Sequence, residues 1–261
     1  MRLAGAIFLF VLICTGITFL LPKPAGFPIL EYHMITENPP KDAEVYNVPP
    51  EEFAAQLDYL QQKGYTTITL QEFMRAKHGK ITLPENPIVL TFDDGYENIY
   101  TEMLPILEAH KMKAVVYVIT NQLGKPGYLT LEQVKDMQRR GIEIGSHTAD
   151  HLALVNLNGD FLLNQVRNSK IFLEWSGLET IFAFSYPNGA YNSELIKLLE
   201  REGYLTAVTG DVGLNTLETN PYALKRVHIR QPHFGIAEFK WRLLKAELAE
   251  KIKSAFRTCV D

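Results

Sequence analysis

The chain has 261 residues, of which 46% are hydrophobic and 21% charged, and its formal net charge at pH 7 is −4. This composition is typical of a globular protein with enough apolar material for a core, and the length suits one large domain or two small ones. The slight negative charge, without a basic stripe, argues against nucleic acid as a partner. Cys14 and Cys259 lie near opposite ends of the chain, which argues against an internal disulfide or a cysteine metal site.

An apolar segment opens the chain, running without charge from Leu3 to Leu21 after Arg2. At a rise of about 1.5 Å per residue, a helix of this length nearly crosses a hydrocarbon core of about 30 Å. A cleaved signal peptide is the alternative, but no small-x-small cleavage site follows the segment. We therefore expect residues 1–22 to be a single-pass anchor in the cytoplasmic membrane, with the remaining chain outside. Cleavage of the segment would make the protein secreted.

Strand and helix patterns alternate from residue 23 to residue 235, the expected main domain. Apolar runs predict strands at 27–33, 66–70, 88–92, 114–119, 142–145, 180–184, 204–209 and 224–228. Apolar residues at helical spacing predict helices at 51–64, 71–77, 99–110, 131–140, 159–175 and 193–202. This alternation predicts a parallel sheet with helices outside it, and about seven strands favour a barrel over an open sheet. A further helix is expected in the C-terminal segment, residues 236–261.

Ionisable residues follow several predicted strands directly. Asp93 and Asp94 come after one apolar run, His147 and His151 come after another, and His33 ends the first strand. In barrels and in open parallel sheets, functional groups gather at the carboxyl ends of strands. Two imidazoles and one carboxylate form a metal ligand set that leaves a position open for water, and a second carboxylate can act as a base on that water. The pattern predicts a metal-dependent hydrolase.

Three motifs resemble those of a known family. They are Thr-Phe-Asp-Asp-Gly at 91–95, His-Thr-Ala-Asp-His at 147–151 and Phe-Ser-Tyr-Pro-Asn-Gly at 184–189. Together they resemble the polysaccharide deacetylases of carbohydrate esterase family 4, the NodB-homology domain, over about residues 28–230. The opening Tyr32-His33 and the unit at 53–70 resemble the branch that acts on poly-N-acetylglucosamine. The resemblance implies a distorted (β/α)7 barrel.

The same resemblance implies the metal ligands and the base. Asp94, His147 and His151 would bind Zn²⁺ or another divalent ion such as Co²⁺ or Ni²⁺, and Asp93 would be the general base. We expect the two histidines to share one face of a helical turn at i, i+4. The alternative is that the histidines cap a helix and that Asp93 belongs to a turn.

The family motif around Tyr186, Pro187, Asn188 and Gly189 implies an oxyanion site, with the backbone N–H of Asn188 as the donor; a simple turn is the alternative. Family members usually carry an arginine two residues before the proline, oriented onto the catalytic aspartate. Ser185 occupies that position here. We predict that Arg226 replaces this arginine, the alternative being an arginine at the surface or strand edge.

The general acid is less directly indicated. The family's late Leu-x-His segment has no clear counterpart near the C-terminus, and Leu30-Glu-Tyr-His33 resembles that element moved to the front, as in a circularly permuted branch. His33 would then protonate the leaving amine, a role suited to a group that titrates near neutrality. His228 is the rival acid, and a structural histidine is the third possibility.

These expectations describe a membrane-anchored, extracytoplasmic N-deacetylase whose substrate is a polysaccharide containing N-acetylglucosamine. Two alternatives stay open. One is an O-acetyl esterase acting on xylan or peptidoglycan, because the same attack cleaves either bond. The other is a catalytically inactive domain that binds glycan, which the missing motif arginine would favour.

Overall fold

The computed structural model describes residues 26–258. The predicted anchor, residues 1–22, lies outside this range. Within the described range, no helix is both long and apolar enough to cross a membrane.

One parallel sheet forms the centre of the molecule. Its strands are β1 (Ile29–Tyr32), β4 (Thr66–Thr67), β5 (Pro87–Phe92), β6 (Val115–Val118), β7 (Glu143–Ser146), β8 (Ala183–Ser185), β9 (Thr206–Val212) and β10 (Leu224–His228). They are ordered β1-β10-β9-β8-β7-β6-β5-β4, and β1 also pairs with β5. This second pairing closes seven strands into a barrel and leaves β4 outside β5. The predicted (β/α)7 barrel is therefore confirmed. Two short strands, β2 (Met34–Ile35) and β3 (Asn47–Val48), form a separate sheet.

Helices alternate with these strands. They are α1 (Pro50–Gln62), α2 (Leu70–Lys77), α3 (Leu104–Ala109, preceded by a π-helical turn at Ile99–Met103), α4 (Leu131–Arg139), α5 (Gly159–Trp175), α6 (Ser193–Arg201) and α7 (Ile236–Thr258). Local chemistry sets several of their starts. Thr69 and Thr130 each form a capping box, and the Asn192 side chain accepts hydrogen bonds from the first turn of α6.

Some predicted boundaries were wrong. The strand expected at 66–70 ends at Thr67, because Thr69 caps α2 and Leu70 is its first residue. The helix expected at 99–110 opens with a π-helical turn rather than α-helix. The strand expected at 204–209 begins at Thr206 and extends to Val212.

Side chains of several strands alternate between two buried clusters. In β5 and β6, Val89, Val115 and Tyr117 belong to one cluster together with residues of α2, whereas Leu90 and Val116 belong to another that includes the other helices. Because side chains alternate along a strand, residues 29, 31 and 33 share a side of the first strand, as do 89, 91 and 93, and 224, 226 and 228. These rows point into the barrel, where their final members meet at the carboxyl end.

Candidate active site

The carboxyl ends of the strands surround an open cavity of about 520 Å³. Every predicted site residue except Pro187 lines it: His33, Asp93, Asp94, His147, His151, Tyr186, Asn188, Gly189 and Arg226. Pro187 is buried behind the wall. Residues that are distant in the sequence therefore meet at one mouth of the barrel, as the family resemblance implies.

Asp94, His147 and His151 form a cluster that could hold a metal ion. Nε2 of each histidine lies 3.6 Å from Oδ1 of Asp94, and one ligand atom from each residue lies within 4.8 Å of the others. Two ligands bound at about 2.1 Å in a tetrahedral arrangement would lie about 3.4 Å apart. The donor set and its spacing thus fit a divalent ion, with space on the cavity side.

A hydrogen bond also fixes the orientation of His147. Its Nδ1 lies 2.8 Å from the carbonyl oxygen of Ser185, so Nδ1–H donates and Nε2 keeps its lone pair toward Asp94. At His151, burial lowers the pKa, which favours the neutral imidazole that a metal requires.

The segment 147–151 is a loop, so the predicted helical i, i+4 arrangement was wrong. Thr148 and His151 both have left-handed φ, 69° and 58°, which brings the two imidazole rings together with centroids 4.6 Å apart. Gln165 of α5 holds the loop: its side chain accepts from the Asp150 amide and donates to the Asp150 carboxylate. The ligand geometry therefore arises from turns and a buried glutamine rather than from helical periodicity.

Asp93 lies beside this cluster and is almost fully buried. Its Oδ1 accepts a 2.9 Å hydrogen bond from Nη1 of Arg226, and its Oδ2 accepts one of 3.1 Å from the Ser185 hydroxyl. Burial alone would raise the pKa of Asp93, but the opposing effects, of which the charge of Arg226 is the largest, outweigh it and hold the pKa well below its usual value. Asp93 is therefore an oriented, ionised carboxylate. The predicted contact between Arg226 and Asp93 exists, with Ser185 as a second donor.

Arg226 also reaches a second carboxylate that the sequence reasoning missed. Its Nη2 lies 2.8 Å from Oε2 of Glu31, and Oε1 of Glu31 lies 2.9 Å from Nδ1 of His228. The alternation of side chains along β1 could have indicated that Glu31 faces the site, because Glu31 lies two residues before His33 and shares its side of the strand.

An irregularity in β9 supplies further contacts. Val208 pairs with Leu224 but Val212 pairs with Arg226, so β9 carries extra residues at this point. The displaced backbone turns carbonyl groups inward: the Thr209 oxygen accepts from Nε of Arg226 and the Gly210 oxygen from Nε2 of His228. The bulge thus helps to fix both cationic side chains.

The turn after β8 brings its backbone to the cavity. Asn188 has left-handed dihedral angles, φ 57° and ψ 14°. A Cβ atom on Gly189 would lie 2.3 Å from backbone atoms of Gly210, so only glycine fits at this approach. Tyr186 is buried, stacks on Tyr191 and donates a hydrogen bond to the Tyr222 carbonyl oxygen. Its main role is therefore to pack in the wall of the cavity.

His33 lies on another side of the cavity. Its ring packs against Tyr46, with centroids 4.9 Å apart, and Arg230 lies 5.6 Å from the centre of the same Tyr46 ring. Its buried Nδ1 has no hydrogen-bond partner among the described residues. Tyr96 and Tyr128, stacked 5.3 Å apart, form part of the same lining.

Comparisons with known proteins agree with this fold. A sequence profile of the polysaccharide deacetylase family matches residues 80–207. YxkH of Bacillus subtilis (strain 168), a candidate polysaccharide deacetylase, is 35% identical over 215 residues, covering 82% of this chain and 75% of the relative. The chain therefore belongs to the polysaccharide deacetylase family, and the resemblance seen in the motifs is confirmed.

Two further relatives are more specific. The poly-β-1,6-N-acetyl-D-glucosamine N-deacetylase of Staphylococcus epidermidis is 24% identical over 237 residues, covering 81% of this chain and 82% of that protein. The structure of the Streptococcus pyogenes deacetylase PplD in complex with acetate superposes with a TM-score of 0.77 at 29% identity. It covers 86% of this chain and 99% of PplD.

Proposed function

We propose that this protein is a metal-dependent N-deacetylase that removes acetyl groups from N-acetylglucosamine units of a polysaccharide, releasing acetate. The observation that carries the proposal is the buried, oriented Asp93 beside the cluster of Asp94, His147 and His151 in an open cavity. A bound divalent ion such as Zn²⁺, Co²⁺ or Ni²⁺ would polarise the acetamide carbonyl and lower the pKa of water.

Asp93 is the general base in this proposal. Arg226 and Ser185 hold its two oxygens, which fixes the carboxylate toward the ligand cluster and keeps it ionised. From this position it takes a proton from the attacking water. The backbone N–H of Asn188 then donates to the oxyanion that develops on the acetyl carbonyl oxygen, because the close approach of Gly189 to Gly210 holds the turn at the cavity.

His33 is the proposed proton donor to the leaving amine. It lines the same cavity as Asp93 and the ligand cluster, and its buried Nδ1 has no hydrogen-bond partner among the described residues. His228, the rival, has both ring nitrogens next to acceptors: Nε2 lies 3.1 Å from the Gly210 oxygen and Nδ1 lies 2.9 Å from Glu31. A nitrogen already committed to a neighbour is a poorer donor to substrate.

The proposed substrate is poly-N-acetylglucosamine, a choice supported by the N-deacetylase of Staphylococcus epidermidis and by an open cavity that admits part of a long chain. We also propose that residues 1–22 anchor the protein in the membrane, with the barrel outside the cytoplasm. The uncharged run from Leu3 to Leu21 supports this location.

Acetate release by the full chain tests the proposal. The substrates are β-1,6- and β-1,4-linked N-acetylglucosamine oligomers and acetylated xylan, each assayed with metal stripped and then restored. We expect metal-dependent release from the β-1,6 oligomer, with at least about a thousandfold loss in Asp93→Asn and none in the surface control Asp136→Asn. Release from xylan alone would indicate the esterase, and no release from any substrate would indicate an inactive glycan-binding domain. Fractionation of the expressing cells tests the anchor, which predicts protein in the membrane fraction.

A further inference from the structure

Carboxylates and basic side chains alternate in a row of four along one side of the cavity, of which Asp93, Arg226 and Glu31 are buried and His228 is partly exposed. Asp93 contacts Arg226 at 2.9 Å, Arg226 contacts Glu31 at 2.8 Å, and Glu31 contacts His228 at 2.9 Å. The side chains of Asp93, Arg226 and Glu31 are each at most 10% exposed. Glu31 lies within this row, between Arg226 and His228. It has no part in the proposed metal cluster or in the proposed proton transfers.

The barrel closure places Glu31 between the other members. Strand β1 lies between β5 and β10, and Glu31 is in register with Thr91 of β5 and with His228 of β10. Residues two apart share a side of a strand. Glu31 therefore lies on the inward-facing side of β1, as residues 93 and 226 do on their own strands. Its carboxylate can therefore contact both neighbouring strands.

Glu31 adds a second ion pair to a fully buried guanidinium. Arginine has five N–H donors in a rigid plane. Those of Arg226 form hydrogen bonds with Thr209 O, Thr91 Oγ1, Asp93 Oδ1 and Ser185 Oγ, and Nη2 also lies 2.8 Å from Oε2 of Glu31. Asp93 and Glu31 supply the two charged contacts, one on each terminal nitrogen. Without Glu31, the guanidinium would be held by a single carboxylate and could rotate toward it.

The electrostatics of the row agree with this geometry. Burial raises the pKa of Glu31, but Arg226 and His228 outweigh it and the net pKa lies below the usual value. The contact with Glu31 is also the main cause of a raised pKa at His228. Glu31 is thus ionised, and its contact favours the cationic form of His228.

We propose that Glu31 is a positioning residue for the deacetylation: through Arg226 it fixes the Asp93 carboxylate, and by engaging His228 it leaves His33 as the proton donor. This inference rests on the proposed function. We therefore expect a change at Glu31 to lower turnover rather than substrate or metal binding. Glu31 acts through Arg226 and is not one of the proposed metal ligands.

The test compares Glu31→Gln with Glu143→Gln in the metal-loaded full chain. Glutamine keeps the size of Glu31 and can accept from Arg226, but it carries no charge. We expect kcat on the β-1,6 oligomer to fall about tenfold or more, with KM changed less than about threefold. Bound metal should be unchanged. Glu143 is a second buried carboxyl in β7, outside the cavity, and E143Q should keep kcat within about twofold.

A second comparison tests whether Glu31 acts through Asp93. In an Asp93→Asn background, E31Q should change the residual rate by less than about twofold, because its target is already absent. Equal kcat for E31Q and the wild type, or a full tenfold loss retained in the Asp93→Asn background, would overturn the inference. Should E31Q not fold, Glu31→Asp is assayed against the same predictions. An inactive wild type would instead contradict the proposed function, so the two failures are distinguishable.

Discussion

Buried carboxyl groups occur at both ends of the barrel, but their surroundings differ. At the carboxyl end, Asp93 and Glu31 share Arg226, and the pKa of each is held below its usual value. Toward the amino end, Glu143 accepts from the Gln71 amide while its other oxygen is buried without a partner among the described residues, and burial raises its pKa to about 7. Burial alone therefore favours a neutral acid, and it is the arginine that makes Asp93 a candidate base.

The largest effect in this comparison is expected from Arg226→Met, which leaves two buried carboxylates without their cation. Breaking a buried pair in this way typically destabilises a protein by about 3–5 kcal/mol. Urea unfolding of the metal-free full chain at pH 7 measures the change. The loss in free energy of unfolding relative to the wild type should become smaller toward pH 5, since protonation of the unpaired carboxyls relieves the repulsion between them.

Arg226→Lys is the matched control for that variant, since it keeps the charge and loses the planar fork. We expect a smaller loss of stability than in Arg226→Met and no pH-dependent relief. Equal stability of Arg226→Met and the wild type would mean that the row of charges contributes little to the folded state.

A smaller effect of opposite sign is expected from Glu143→Gln. Because the pKa of this carboxyl rises from 4.5 to about 7 on folding, it contributes stability below pH 4.5 that is lost as the pH rises through 7. E143Q should therefore be more stable than the wild type at pH 8 by about 3 kcal/mol, with little difference at pH 4.5. Unfolding curves across this range measure how the free energy of unfolding of each protein changes with pH. The same pH dependence in E143Q and the wild type would contradict the raised pKa.

The sequence was sufficient for the barrel and for most of the site. Alternating strands and helices predicted the architecture, and nearly every residue predicted for the site lines the cavity. Arg226 was found because Ser185 stands at the usual arginine position. The metal-binding and catalytic roles of these residues stay predictions.

Other features depend on contacts that a sequence pattern does not contain. The contacts of Glu31 require the register of β1 against β5 and β10, which only barrel closure sets. The left-handed turns at Thr148 and His151 replace an expected helix, since Gln165 from a later helix holds that loop. The β9 bulge at Thr209 and Gly210 carries no distinctive local signal beyond its glycine.

Zinc binding by the full chain shows whether the two adjacent aspartates have separate roles, one as ligand and one as base. The measurement is an isotherm for the wild type, Asp93→Asn and Asp94→Asn. We expect one bound ion per chain in the wild type and in Asp93→Asn, with affinity at least about tenfold weaker in Asp94→Asn. Equal weakening in both variants, or no bound ion in the wild type, would contradict the assignment of Asp94, His147 and His151 as the ligands beside a base at Asp93.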